Sequence, residues 1–283
     1  MSATTQLAYE TRLRVRQSIV AGVAALLFIA AGAAQLSAPK VPELTVELIF
    51  VNKHFPLDII GSVLEGVGLV GLVWTLSFLF ATARARKPEM HPAIRIAVLV
   101  GGVVSAIAFV ASQVVLAIKA HQFVTRDAQT YSQANHLVGG FALPALQTLN
   151  YAAAFALAIG LVLISLNAMR VGLLTRFMGY FGILVAVASI FLIGSPPAVL
   201  LQVLWLLALA YLFAGRWPGG DPPAWRTGRA EPWPSAAQMR EQREQAGGAA
   251  RRGKPEPEPE PDGASTTTRS RSTTPKRKRK RRR

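Results

Sequence analysis

Six nearly uninterrupted apolar stretches divide the first 214 positions: residues 19–36, 59–81, 94–117, 144–168, 177–193 and 199–214. Roughly 17–25 apolar residues are needed to cross the hydrocarbon of a bilayer as a helix. The first, fifth and sixth stretches lie at the short end of that range. Hydrocarbon offers no water to satisfy backbone N–H and C=O groups, so each crossing must be a closed helix. The pattern predicts an all-α fold, a helical transmembrane bundle of about six spans.

The breaks between stretches carry their own signals. Pro144 suits a first helical turn, where its missing N–H had no partner to lose. Gly194, Ser195, Pro196 and Pro197 read as a tight hairpin turn. Residues 41–54 (VPELTVELIFVNKH) predict an interfacial helix or a short strand, and residues 122–143 predict a mixed segment folding over one mouth of the bundle. The first stretch has two readings. Arg12, Arg14 and Arg16 followed by an apolar run and Gly32-Ala33-Ala34 fit a signal peptide, and they equally fit a retained helix. Either way the C-terminal tail stays on one side.

Charge orients the bundle. Basic residues gather before the first span, in the second connection (Arg84, Arg86, Lys87, Arg95), in the fourth (Arg170, Arg176) and after the last span. The intervening connections mix Lys40, Lys53, Lys119 and Arg126 with Glu43, Glu47, Asp58 and Asp127. The bias of Lys and Arg toward the cytoplasmic side places both termini in the cytoplasm of an inner (cytoplasmic) membrane, multi-pass. Composition agrees: 51% hydrophobic, 16% charged, mean hydropathy +0.33. A soluble domain carries about 25% charged residues.

The net charge of +16 is concentrated late in the chain, the last 69 residues carrying 18 basic and 8 acidic side chains. Four regions follow: a cytoplasmic N-terminal segment (1–18), the six-helix domain (19–214), a Trp/Pro-rich juxtamembrane segment (215–246) and a disordered charged tail (247–283). Trp217, Trp225 and Trp233 recur every eight residues among prolines. That spacing predicts a stretch lying along the inner membrane face, since Trp favours the headgroup layer. Residues 255–261 alternate Pro with Glu as an extended spacer. The chain closes on Lys276, Arg277, Lys278, Arg279, Lys280, Arg281, Arg282 and Arg283. On a membrane-tethered tail this block predicts contact with anionic lipid, with nucleic acid or a cytoplasmic protein as other partners.

Chemistry-bearing residues are few. With no cysteine, disulfides, thiolate metal sites and Cys nucleophiles are excluded. No P-loop, G-x-G-x-x-G, H-E-x-x-H or G-x-S-x-G is present. His54, His91, His121 and His136 form no short-spaced ligand pair, so no metal and no cofactor is expected. Glu65 stands out because a carboxylate inside a bilayer costs several kcal/mol unless paired, hydrated or protonated. Gln113, Gln147 and Asn150 belong to the same half of the bundle and complete a candidate intramembrane polar site.

Residues 167–183 (NAMRVGLLTRFMGYFGI) place Arg170, Gly172, Leu173 and Leu174 in an Arg–x–Gly–Leu–Leu turn ahead of a Gly-rich helix. The segment resembles uncharacterised actinobacterial multi-pass membrane proteins, including the DUF4386-like group. That resemblance implies topology and transfers no catalytic residue. Two functions are compatible with the sequence. The first is a structural or interaction protein working through its basic cytoplasmic tail. The alternative is a small secondary transporter or proton-coupled carrier using Glu65. The apolar inner halves of the spans favour the first, and an enzyme is the weakest option because no nucleophile–base pair can be placed.

Overall fold

The computed structural model describes residues 3–35, 43–126, 128–192, 195–218, 220–233 and 240. It contains eight helices among the described residues: α1 (Ala3–Gln35), α2 (Leu44–Arg86), α3 (Ala93–Arg126), α4 (Tyr131–Val138), α5 (Ala142–Arg170), α6 (Arg176–Phe191), α7 (Pro196–Phe213) and α8 (Pro223–Thr227). Five of them, α1, α2, α3, α5 and α7, are long and apolar enough to cross a membrane. α6 coincides with the fifth expected span but has only 16 residues, about 24 Å at 1.5 Å per residue. The chain is a helical membrane bundle, as its hydrophobic pattern predicts. Met1–Trp233 form one compact unit and Pro234–Arg283 a second. Apart from Arg240 the second unit lies outside the described residues, and so do the spacer, the expected disorder and the basic block 276–283.

The long helices close into a ring. α1 packs on α2, α2 on α3, α3 on α5, α5 on α6, α6 on α7, and α7 returns to α1. α1 turns a stripe of Glu10, Arg14, Gln17, Ala21, Ala24, Phe28 and Ala31 inward. The spacing of three and four residues keeps these side chains on one helical face. Its small residues let α2 approach, and Gly71 of α2 faces Ala24 so closely that a Cβ there would collide with it. Gly101 does the same for α3 against the backbone of α5 at Ala153. α1 is therefore one wall of the ring.

The structure departs from the sequence reading in two places. Residues 41–54 were expected as a separate interfacial helix or strand. From Leu44 onward they are instead the start of α2, which runs 43 residues through Pro56. A proline inside a helix costs about 3 kcal/mol. Tertiary burial offsets it: Leu48 meets Ala120 and Phe123 of α3 and Ala134 of α4 in a second small core beyond the ring. α4 belongs to the segment expected over one mouth of the bundle. It starts on a capping box in which Thr130 accepts from the Gln133 amide and Gln133 accepts from that of Thr130.

The second departure concerns the juxtamembrane segment. It was expected along the membrane surface, yet Pro222, Pro223, Ala224 and Trp225 are buried. After α7 the chain turns back and lays α8 against the α5–α6 turn.

Candidate functional site

Two features of the ring carry chemistry. The first is a cavity of about 140 Å³ bordered by all six ring helices. Its walls are mostly apolar, with Phe28, Leu69, Leu72, Phe109, Leu157 and Val185 among them. Five helices each contribute one polar side chain: Glu65 from α2, Ser105 from α3, Asn150 from α5, Ser189 from α6 and Gln202 from α7. The Ser105 hydroxyl donates to Asn150 Oδ1 at 2.6 Å, which ties α3 to α5. Ser189 donates to the Val185 carbonyl at 2.8 Å within its own helix. Gln202 Nε2 is buried and has no hydrogen-bond partner among the described residues. Glu65 is half-buried and engaged in a polar interaction.

Of the four residues singled out from sequence, the structure brings Glu65 and Asn150 together on this cavity. Gln113 is half-buried on α3 and Gln147 is exposed on α5, and neither borders it. Ser105, Ser189 and Gln202 were missed. A single polar residue in an apolar run was the available signal for Gln202, the same signal that marked Glu65.

The second feature closes the opposite end, where α8 lies. Arg86, with 0% of its side chain exposed, forms a two-pronged ion pair with Glu10, whose side chain is 6% exposed. Nη1 donates to Oε1 at 3.0 Å and Nη2 to Oε2 at 2.7 Å. The same guanidinium donates to the Ala224 carbonyl at 2.8 Å and the Thr82 carbonyl at 2.9 Å. Arg14 reaches both carboxylate oxygens of Asp221 at 3.0 Å and the Leu212 carbonyl at 3.0 Å.

Both cations lie over the ring of Trp225. Its ring centroid is 4.7 Å from the Arg14 guanidinium carbon and 5.4 Å from that of Arg86. Phe78 stacks on it at 6.1 Å and Phe213 meets it edge-on at 6.0 Å. Its indole N–H donates to the Leu173 carbonyl at 2.9 Å. A guanidinium over an indole face is attracted by the ring quadrupole, the more so when desolvated. Each guanidinium thus has a carboxylate, at least one carbonyl and an aromatic face, although Arg14 Nε is buried without a partner among the described residues.

The α5–α6 turn is the seat for α8. Ala224 N–H donates to the Gly172 carbonyl and Glu231 N–H to that of Val171. Gly172 has φ +80°, and any Cβ there would collide with the Glu231 carbonyl. Between this end and the cavity lies a layer of buried apolar side chains, including Leu76, Leu79, Ile164, Leu206 and Leu209. Among the described residues no group of three His, Asp or Glu is placed to hold a metal ion.

Searches of known protein families, characterised proteins and solved structures give no significant match to this chain. The resemblance to the DUF4386-like group therefore rests on the residues quoted for it.

Proposed function

We propose that this chain is an inner-membrane carrier that takes a small molecule into the centre of its ring. One observation carries the reading. Five helices each bring one polar side chain to one mostly apolar cavity. Mostly apolar concavities with a few convergent polar groups are the usual form of small-molecule sites, and intramembrane polar residues mark substrate pathways. The basic connections and the α8 seal face the cytoplasm in this reading, by the bias of Lys and Arg toward that side. Access is then from the side bearing α4, with the buried Arg86–Glu10–Trp225 cluster holding the cytoplasmic end shut.

A second reading, an interaction protein acting through its tail, is favoured by the eight consecutive basic residues 276–283. Anionic inner-leaflet lipid is the partner that such a tether meets first, each basic residue contributing about 1 kcal/mol. The two readings are compatible, since they draw on different parts of the chain.

The native chain has no cysteine, so single cysteines report access directly. S189C and S105C are expected to react with a small water-soluble thiosulfonate in right-side-out vesicles and to stay unreactive in inverted ones. L204C, 47% exposed on the outer face of α7, serves as the lipid-facing control and is expected to stay unreactive in both. Protection of both pocket cysteines from either side would refute the carrier reading and leave the tail-centred one.

A further inference from the structure

Where α2 gives way to α3, at the basic end of the ring, a cleft of about 380 Å³ opens to the outside. It is bordered by Phe80, Ala81, Arg84, Ala85, Pro88 and Arg95. Arg84 belongs to the last turn of α2 and Arg95 to the first turn of α3. Both are exposed, and neither enters an ion pair among the described residues. Arg86, two positions on and so on the other side of the helix, is by contrast buried against Glu10. The α2–α3 connection contains one acidic residue, Glu89, and it does not border the cleft. Two like charges therefore share one cleft, and no carboxylate on its wall offsets them. An anion bound there relieves their repulsion. The planar guanidinium fork matches the oxygens of a phosphate.

The neighbouring face of α2 indicates what carries that phosphate. Val63, Val67, Val70 and Trp74 are exposed, and their spacing of four, three and four keeps them on one stripe. Seven residues beyond Trp74, and four more after that, the same stripe reaches the exposed Ala81 and Ala85 on the cleft wall. In a membrane bundle this outward apolar stripe meets lipid hydrocarbon. An apolar track that ends at two arginines fits a phospholipid, with its head at the arginines and its chains on the track. Basic pockets at the ends of membrane helices take such head groups. We infer that the α2–α3 cleft holds the phosphate of one anionic phospholipid, whose acyl chains lie along the α2 stripe. The site is on the outer surface of the ring and does not depend on the carrier reading of the central cavity.

The test uses the full chain in neutral detergent, read by native mass spectrometry. The probes are phosphatidylglycerol, phosphatidylcholine with the same acyl chains, and inorganic phosphate. The native protein is expected to hold one phosphatidylglycerol about thirtyfold tighter than one phosphatidylcholine, the effect of two basic residues on one anionic head group. R84Q and R95Q are each expected to lower that preference about fivefold, and together to abolish it. R170Q/R176Q removes the same charge from exposed positions of the other basic connection and is expected to leave the preference unchanged. The basic tail is intact in every variant, so a preference that survives R84Q/R95Q belongs to the tail and would overturn the site. Equal affinity for the two lipids in the native protein, or an equal loss in R170Q/R176Q, would overturn it too. Inorganic phosphate binding as tightly as the lipid would overturn the phospholipid as occupant and leave an anion site. All four substituted positions are exposed, and the native comparison of the two lipids stands without any variant.

Discussion

At the scale of single residues the strongest constraint is the Arg86–Glu10 pair. Burying two charges gains little net stability by itself, but removing one partner strands the other, at a cost of about 3–5 kcal/mol. Glu10→Ala is accordingly expected to lower the melting temperature in detergent sharply. The double substitution Glu10→Leu with Arg86→Met is expected to lose much less, because no buried charge remains. Equal losses for the single and double variants would show that the pair contributes packing and not charge compensation. Sequence could not announce this pair. Glu10 and Arg86 stand in segments whose charges served to orient the bundle, and 76 positions separate them. Glu65 was legible because ionisable groups are rare in hydrocarbon. Asn150 was legible by the same logic, but so were Gln113 and Gln147, which face elsewhere. A polar residue announces itself in an apolar run, whereas the direction it faces depends on how the helix is rotated in the ring. Only packing decides that rotation.

At the scale of elements the α5–α6 turn and α8 form one unit of construction. Gly172 supplies a positive φ and the space that the Glu231 carbonyl occupies, two demands that only glycine meets together. Gly172→Ala is expected to displace residues 222–231 from the turn while the long helices stay folded. Trp225 would then leave its apolar slot, so a red shift of tryptophan emission with little change in helix content is the expected signature. An unchanged spectrum would mean that the turn tolerates a side chain and α8 is held by its arginine contacts alone. The four central spans were legible nearly to their ends, because long apolar runs admit no other structure in hydrocarbon. The ends beyond the membrane were not. Residues 41–54 read as a separate element, whereas the packing of Leu48 on Phe123 accompanies a single helix from Leu44 onward. Trp225 argued for the membrane surface, because a Trp among prolines looks alike whether it meets headgroups or a protein slot.

The compact unit that ends at Trp233 is a ring closed by its first and last long helices, and its stability depends on that closure. α1 meets α7 through Ser18, which donates to the Ala210 carbonyl at 2.7 Å, and through Arg14, which bonds Leu212 and, past the helix end, Asp221. The seam is thus made of apolar contacts along its length and charge at one end. The compact unit ends at Trp233, so the ring with its seal is complete without the tail. A chain stopped after Trp233 is expected to keep the melting temperature of the full chain. A chain stopped after Ala214 keeps every long helix but removes Asp221 from Arg14, the Ala224 carbonyl from Arg86, and the indole ring from both guanidiniums. Losing a buried large aromatic alone costs about 3–5 kcal/mol, and two buried cations lose partners besides. The shorter chain is therefore expected to melt well below the longer one and to admit water at its basic end. In the shorter chain S189C should then react in inverted vesicles, where the sealed protein does not. If it stayed unreactive despite a lower melting temperature, the apolar layer of Leu76, Leu79 and Ile164 would be the barrier and α8 only its brace. A passage through the ring would then require the long helices themselves to move.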